Sequence, residues 1–232
     1  MDWKAFYDAR VAELDPGAHL AQVGHTVNGK PIPTEHFNAL LAQIAAELDI
    51  RPDDHLLDLC CGNGVFTRPL AEPAKAALGV DISGAMLQVA RADHAAPNLS
   101  YAEMDVAEIA SLSSRPEAPF TRVMMYGAWQ HFTPEAGRAI LSDVLRIAAP
   151  DLRIFLGFVP DVARKDCFFD TPERRAAHAA HVAAGTDAFG TWWEQETLAH
   201  LAADLGLVCR FSELPPQVHA AAYRFNATLT RD

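Results

Sequence analysis

An apolar run that ends in a glycine turn constrains the fold more than any other feature of the sequence. Residues 56–64 read Leu-Leu-Asp-Leu-Cys-Cys-Gly-Asn-Gly. A short, almost continuously apolar run before such a turn is typical of a buried parallel strand. Gly62 and Gly64 permit a sharp turn and let a ligand approach without a Cβ in between. The sequence therefore predicts a parallel sheet with a ligand site beyond this strand.

Strand and helix patterns alternate along most of the chain, which predicts an α/β fold. The predicted strands are residues 55–60, 76–81, 99–104, 122–126, 153–159, 207–211 and 223–229. Alternation of this kind gives a doubly wound, Rossmann-like, mostly parallel sheet of seven strands with helices on both faces. In the last strand Arg224, Asn226 and Thr228 alternate with apolar residues, and we expect them to face solvent.

Two segments depart from the alternation. Residues 1–33 read as a short helix and an irregular arm, which we expect to act as a lid. Residues 34–232 are predicted to form one α/β domain, since 232 residues, 50% of them hydrophobic, can fill one sizeable core. Within it, residues 160–190 are predicted to be an insertion after the fifth strand that covers the substrate. A capping box, Thr191-x-x-Glu194, predicts the start of the next helix.

Composition bears on partners and compartment. The net charge of −11, without a cluster of lysine and arginine, predicts that nucleic acid is not a partner. The first residues lack the pattern of a signal peptide and no apolar run is long enough to span a membrane, so we expect a cytoplasmic protein without a membrane partner. The four cysteines lack the paired spacing of a zinc site, and no metal is predicted. A monomer and a homodimer both remain open.

An acidic residue after the second predicted strand narrows the ligand. Asp81 follows Gly64 by 17 residues. An acid at about this distance in such folds accepts hydrogen bonds from ribose hydroxyls, which indicates a cofactor that contains adenosine. Nicotinamide dinucleotides need a G-x-G-x-x-G turn, and Thr67 occupies its third small position here. An NAD-dependent oxidoreductase is therefore the less favoured alternative.

At this turn the chain resembles the class I S-adenosylmethionine-dependent methyltransferases. Their first motif commonly runs apolar-Leu-Asp-x-Gly-Cys-Gly-Thr-Gly, and residues 57–64 follow it with Cys60 in place of the first glycine and Asn63 in place of the threonine. The similarity extends over residues 55–160 and includes four motifs in order. The resemblance implies S-adenosylmethionine as the cofactor.

The resemblance also implies a role for each motif. Asp81 is expected to bind the ribose hydroxyls, with Ile82 and Met86 on either side of the adenine. Asp105 is expected at the adenine amino group, and residues 125–132 near the methionine portion. The cofactor-binding residues implied are Asp58, Cys60, Gly62, Gly64, Asp81, Ile82, Met86, Met104, Asp105, Val106 and Tyr126.

The chemistry of methyl transfer suggests the catalytic residues. The protein mainly has to align donor and acceptor, but an oxygen or a protonated amine must also lose a proton. His131, after the fourth predicted strand, is the first candidate for the general base because histidine suits this task near neutral pH. Tyr126 is a further catalytic candidate, and His25 in the arm is the reserve.

The acceptor is inferred by elimination. The chain lacks the Asn/Asp-Pro-Pro-Tyr/Phe motif of enzymes that methylate exocyclic amines in DNA, and no metal-binding Asp-Asp-Asn set can be placed. We therefore expect transfer to an oxygen or nitrogen of a small molecule, such as a specialised metabolite or a sugar. Six aromatic residues are predicted either to form an apolar wall of the acceptor site or to pack in the protein interior without a functional role: Trp3, Tyr7, Phe168, Phe169, Trp192 and Trp193. A non-catalytic S-adenosylmethionine-binding protein remains an alternative.

Overall fold

The predicted seven-stranded α/β sheet is confirmed in a computed structural model, which describes residues 1–187 and 189–231. The strands are β1 Thr26–Val27, β2 Lys30–Pro31, β3 His55–Leu59, β4 Ala76–Asp81, β5 Leu99–Glu103, β6 Phe120–Tyr126, β7 Ala148–Pro160, β8 Leu207–Glu213 and β9 Arg224–Arg231. The α-helices are α1 Trp3–Glu13, α2 His19–Gln22, α3 Thr34–Leu48, α4 Thr67–Ala71, α5 Gly84–Asp93, α6 Pro134–Ile147, α7 Lys165–Phe168, α8 Pro172–Ala183 and α9 Gln195–Asp204. Within the described residues, no helix combines the length and apolar character needed to cross a bilayer.

The order of the strands predicts a ligand site at the carboxyl ends of the central strands. The order is β5-β4-β3-β6-β7-β9-β8, and β9 alone runs antiparallel to its neighbours. The chain winds outward through β4 and β5 on one side of β3, then returns to β6 on its other side. The carboxyl ends of β3 and β6 therefore flank the position where strand order reverses, which is where doubly wound sheets bind ligands.

Two apolar cores cover the two faces of the sheet. Successive residues of β3 point to opposite faces, so Leu56 packs in the core beneath α3 and Leu57 in the core beneath α6. The inner face of α6 is apolar at three- and four-residue spacing and includes Ile140 and Val144. Burial on both faces explains why the strands read as nearly continuous apolar runs.

The N-terminal arm contains more regular structure than we expected from its sequence. Asp2 caps α1 by accepting a hydrogen bond from the Ala5 N–H (3.1 Å). A hairpin of β1 and β2 follows α2, and its turn residues Asn28 and Gly29 both have positive φ, 50° and 76°. This is the conformation that an Asn-Gly pair favours in two-residue hairpins. The Asn28-Gly29 dipeptide is therefore the feature of the sequence that favours this hairpin.

The prediction that one face of the last strand meets solvent is wrong. Arg224, Asn226 and Thr228 are all buried. The amide of Asn226 donates to Gln43 Oε1 (3.0 Å), and the hydroxyl of Thr228 donates to Glu47 Oε2 (2.8 Å). Polar side chains of α3 therefore cover this face of β9.

The predicted capping box also differs from the structure. The helix α9 begins at Gln195, its N-cap is Glu194, and no side-chain capping bond is formed. The preceding residues are held in extended form, since the Trp193 N–H donates to the Pro160 carbonyl (2.9 Å) and the Thr191 N–H donates to the Gln130 carbonyl (2.7 Å). These tertiary hydrogen bonds shift the start of the helix toward the C-terminus.

Candidate active site

A cavity of about 220 Å³ lies beyond the carboxyl ends of β3, β4 and β6, and α1 closes one side of it. We refer to it as the main cavity. Its lining includes most of the predicted site residues: His25, Asp58, Cys60, Gly62, Asp81, Ile82, Met104, Asp105, Val106, Tyr126 and His131. Val23 and Phe66 also line it and were not predicted, because single apolar residues outside a motif carry no sequence pattern. Phe132, in the predicted segment 125–132, lines it as well.

Two predicted site residues lie outside this lining. Met86 is buried on the inner face of α5 together with Leu87, so the structure places its side chain in the core. Gly64 has φ of +78°, and a Cβ there would collide with the hydroxyl group of Tyr101. Packing against Tyr101, rather than the approach of a ligand, explains this glycine.

The turn after β3 is shaped by its unusual backbone. Cys60 has φ of 58°, a left-handed conformation that costs a residue with a Cβ about 1–2 kcal/mol. Cys60 thus adopts the glycine-like backbone without being a glycine. Its thiol lines the main cavity, and burial raises its pKa well above the ordinary value. The thiol is therefore protonated and a weak nucleophile at neutral pH.

Asp81 joins the turn after β3 to the turn after β4. One carboxylate oxygen accepts a hydrogen bond from the Gly62 N–H and the other from the Ser83 N–H, each at 2.8 Å. Burial raises its pKa, while these two hydrogen bonds favour its charged form. Asp81 therefore holds the two turns in their relative positions and presents its carboxylate at the cavity.

Asp58 presents a buried carboxyl group that has no cationic partner in the part of the chain that the structure describes. Thr67 donates its hydroxyl hydrogen to Asp58 Oδ2 (2.5 Å), and burial raises the pKa of Asp58 to about 8. The lining of the main cavity contains three carboxyl groups, and the described residues that form it include no lysine or arginine. Such a lining favours a cationic ligand and opposes the anionic pyrophosphate of a dinucleotide.

His131 pairs with the N-terminal helix. It lies in a 3₁₀ turn, Trp129–His131, directly after β6. Its Nε2 is 3.1 Å from the hydroxyl oxygen of Tyr7, and its ring centroid is 3.7 Å from that of Trp3. Burial lowers the pKa of His131 to about 4 and raises that of Tyr7 to about 12. Both side chains are therefore neutral at pH 7.

His25 and Tyr126 form an aromatic stack in the wall of the main cavity. Their rings are nearly parallel, with centroids 5.6 Å apart, and Phe66 packs against both. Burial lowers the pKa of His25 to about 3 and raises that of Tyr126. Within the described part of the chain, His25 Nδ1 and the Tyr126 hydroxyl have no hydrogen-bond partner.

Polar contacts attach α1 to the turn that follows β4. The Lys4 ammonium group donates to the Ile82 carbonyl (3.0 Å) and to Glu103 Oε1 (3.1 Å). Asp8 accepts a hydrogen bond from the Ser83 hydroxyl (2.6 Å). The arm thus contacts both the turn that holds Asp81 and, through Tyr7, the residue His131.

The six predicted wall aromatics divide between cavity and core. Trp3 and Tyr7 line the main cavity, and Phe168 lines a second cavity described below. The side chain of Trp193 is buried and packs against Trp129, with ring centroids 5.3 Å apart. No group of three or more His, Cys, Asp or Glu side chains placed to hold a metal ion occurs in residues 1–187 and 189–231.

Comparison with known proteins identifies the central domain. Residues 56–151 match a family model described as a methyltransferase domain. The 23S rRNA (uracil(1939)-C(5))-methyltransferase RlmD of Yersinia enterocolitica is 30% identical over 149 residues, which are 62% of this chain and 30% of that protein. The chain therefore spans less than a third of the length of this relative.

Solved structures share the fold across nearly the whole chain. A complex of DhpI with S-adenosylhomocysteine has a TM-score of 0.65 at 18% identity and covers 98% of this chain and 94% of its own. Magnesium protoporphyrin IX methyltransferase ChlM from Synechocystis PCC 6803, also with S-adenosylhomocysteine bound, has a TM-score of 0.63 at 18% identity and the same coverage of both chains. Both neighbours hold the demethylated form of the expected cofactor.

The rRNA methyltransferase relatives contradict one prediction. We expected a small-molecule acceptor and no nucleic-acid partner, and this prediction is wrong because the relatives act on RNA. Its main premise was the net charge of −11, which averages over the whole chain and does not describe the charge at a single cavity.

Three findings agree on the kind of domain that residues 56–151 form. The matched model, the seven-stranded fold and the ordered motifs around Gly62, Asp81 and Asp105 all indicate the same group of enzymes. Residues 56–151 therefore form a methyltransferase domain, and the chain shares the fold of solved class I S-adenosylmethionine-dependent methyltransferases.

Proposed function

We propose that this chain binds S-adenosylmethionine in the main cavity and transfers its methyl group to an oxygen or nitrogen atom of an acceptor. The observation that carries the proposal is the composition of the lining, which holds three aspartate side chains and no lysine or arginine among its described residues. S-adenosylmethionine carries a sulfonium and an ammonium group and no phosphate, so it suits this lining. A pyrophosphate would be repelled.

The residues of the lining divide by the part of the cofactor they would hold. Asp81 takes the ribose hydroxyls, and Ile82 and Asp105 take the adenine, as the family motifs imply. Asp58 takes the ammonium end, because its buried carboxyl group needs a cation to become charged. Met86 is left out of this set, since its side chain lies in the core.

His131 is proposed to accept the proton that the acceptor loses. When bound, S-adenosylmethionine supplies a methyl group on a positively charged sulfur that is ready for displacement. A hydroxyl proton becomes acidic as its oxygen takes up the methyl group, and a neutral histidine with a pKa of about 4 accepts it late in the reaction. An amine product holds its proton more tightly, so this low pKa favours oxygen as the acceptor atom.

The arm and the insertion are proposed to enclose the reaction. The arm, residues 1–33, places Trp3 and Tyr7 in the main cavity, and residues 160–190 place Phe168 near it. Exclusion of water strengthens the electrostatic interactions in the cavity. Residues 1–33 then serve as a lid, and the insertion contributes to the acceptor site.

A second candidate function is methylation of uracil carbon in RNA, and the relatives named above favour it. That chemistry uses a thiolate that adds to the pyrimidine ring. Cys60 is in the main cavity, but burial raises its thiol pKa well above the ordinary value. The product of the reaction distinguishes the candidates, since one carries a methyl–oxygen or methyl–nitrogen bond and the other a methyl–carbon bond.

The test supplies S-adenosylmethionine with a tritiated methyl group to the protein and a bacterial lysate. The lysate is separated afterwards into RNA, protein and metabolites, and the labelled product is analysed for its new bond. We expect label on oxygen or nitrogen, a strong loss with Asp81→Asn, and no loss with the exposed control Asp53→Asn. Label on uracil carbon would overturn the proposal in favour of the second candidate. No label in any fraction, with the cofactor bound, would favour a non-catalytic binding protein.

A further inference from the structure

A second cavity, of about 250 Å³, lies next to the main cavity. His25 lines both of them. The arm, the insertion and the start of β9 all contribute to the second cavity. We call it the arginine cavity and define it by Arg224, His25, Phe158, Phe168, Phe189 and Tyr223.

Arg224 is a buried cation that forms no ion pair among the described residues. It is only 7% exposed, and its guanidinium donates to two neutral acceptors, the Phe158 carbonyl and Gln130 Oε1. Burial lowers the pKa of its guanidinium group. A guanidinium has five N–H donors, and among the described residues Nε of Arg224 finds no acceptor. A buried, unpaired guanidinium is costly to retain unless a ligand pairs with it.

The backbone of β7 is distorted where it meets Arg224. Phe158 has φ of 64°, and the pairing of β7 with β9 shifts register between Leu156 and Val159. This bulge turns the Phe158 carbonyl toward the guanidinium, which donates a hydrogen bond to it. The Phe158 ring lies 4.3 Å from the guanidinium carbon. The bulge therefore holds the cation in place at one wall of the cavity.

The two neighbouring cavities have opposite charge character. The described lining of the main cavity contains three aspartates and no lysine or arginine. The arginine cavity is lined by the guanidinium of Arg224, and its described residues include no aspartate or glutamate. This contrast occurs in a chain whose net charge is −11. A cationic ligand suits the first cavity and an anionic one the second.

We propose that the arginine cavity binds an anionic group of the methyl acceptor, a carboxylate or a phosphate, together with an adjoining flat apolar portion. Arg224 pairs with the anion, and the rings of Phe168, Phe189 and Tyr223 pack against the apolar portion. The inference rests on the proposed function in taking this ligand to be the acceptor. The anion belongs either to a free organic acid or to the phosphate of a nucleic acid.

The test measures binding directly by calorimetry, with S-adenosylhomocysteine bound and without it. The probes are benzoate and phenyl phosphate, with benzamide as the neutral counterpart. Because a charge-assisted hydrogen bond contributes about 1.5–3 kcal/mol, we expect the wild type to bind the anions about tenfold or more tightly than benzamide. Arg224→Met removes this preference and Arg224→Lys retains part of it. Arg210→Met, at an exposed position on β8, is the matched control and leaves the preference unchanged.

The outcomes separate this inference from the proposed function. Binding of S-adenosylhomocysteine without any preference of the wild type for anions would overturn the inference alone, whether or not the Arg224 variants fold. If Arg224→Met preferred the anions over benzamide as strongly as the wild type does, the inference would also be overturned. Preference for anions without binding of S-adenosylhomocysteine would overturn the proposed function alone. Displacement of phenyl phosphate by a short RNA identifies a nucleic-acid phosphate as the source, and its absence identifies a free acid.

Discussion

Asp58 places a buried carboxyl group where residues 1–187 and 189–231 provide no cation to pair with it. Because its pKa is about 8, this carboxyl group is protonated in most protein molecules at pH 7. An ammonium group bound beside it would favour the carboxylate and lower its pKa below 7. The residue thus links cofactor binding to the release of a proton.

The release of this proton is measurable by calorimetry. We expect binding of S-adenosylhomocysteine at pH 7 to give an enthalpy that varies with the ionisation enthalpy of the buffer, because the buffer takes up the proton. Asp58→Asn removes that dependence, whereas Asp53→Asn, an exposed change, preserves it. An enthalpy that is the same in all buffers for the wild type would contradict this role of Asp58.

The buried histidines make stability depend on pH. The pKa of His25 is about 3 in the folded chain, against about 6.5 in the unfolded chain. Between these values the unfolded chain binds a proton that the folded chain excludes, so stability falls as the pH falls from about 6.5. For His25 the loss between pH 7 and pH 5 is about 2 kcal/mol.

Denaturation by urea at both pH values tests this account of His25. We expect His25→Phe, which keeps an aromatic ring beside Tyr126, to lose about 2 kcal/mol less than the wild type on going from pH 7 to pH 5. The exposed control His200→Phe keeps the wild-type difference. If His25→Phe showed the same pH dependence as the wild type, the proton would be bound elsewhere.

At the scale of elements, α1 depends on few stabilising contacts. It contains no buried residue, and the ties of Lys4 and Asp8 to the turn after β4 are partly exposed to solvent. Because local stability follows buried apolar contacts, this helix opens more readily than the sheet. A ligand in the main cavity adds contacts to Trp3 and Tyr7 and stabilises it.

Hydrogen exchange measures this effect. We expect the amides of α1 to exchange rapidly in the free protein and several-fold more slowly with S-adenosylhomocysteine, since the ligand favours the closed position of the arm. The helix α9, which contributes no residue to the described lining of the main cavity, serves as the internal control and keeps its rate. Equal protection of α1 with and without the ligand would argue against residues 1–33 as a lid.

Some strands were easier to predict from the sequence than others. The strands β3 and β4 were predictable because burial on both faces leaves an apolar run that no surface element shows. The environment of β9 was not predictable. An alternation of polar and apolar residues is the same whether the polar side chains meet water or the side chains of Gln43 and Glu47 on α3.

At the scale of the whole molecule, the candidate site was predictable where a motif fixes its geometry. Gly62, Asp81 and Asp105 follow strands at set distances, and all three line the main cavity. Arg224 had no such signal, because its role depends on a bulge in β7 that only the folded chain forms. The net charge likewise failed to indicate a cavity whose described lining contains no aspartate or glutamate.

The central claim is that the main cavity binds a cationic adenosine cofactor rather than an anionic dinucleotide. Its most direct test is a calorimetric titration of the wild-type protein at pH 7 with S-adenosylmethionine and, in parallel, with NADH. The three aspartates and the lack of lysine and arginine in the described lining predict saturable binding of S-adenosylmethionine and no heat of binding with NADH. Saturable binding of NADH, or no binding of S-adenosylmethionine, would contradict the account.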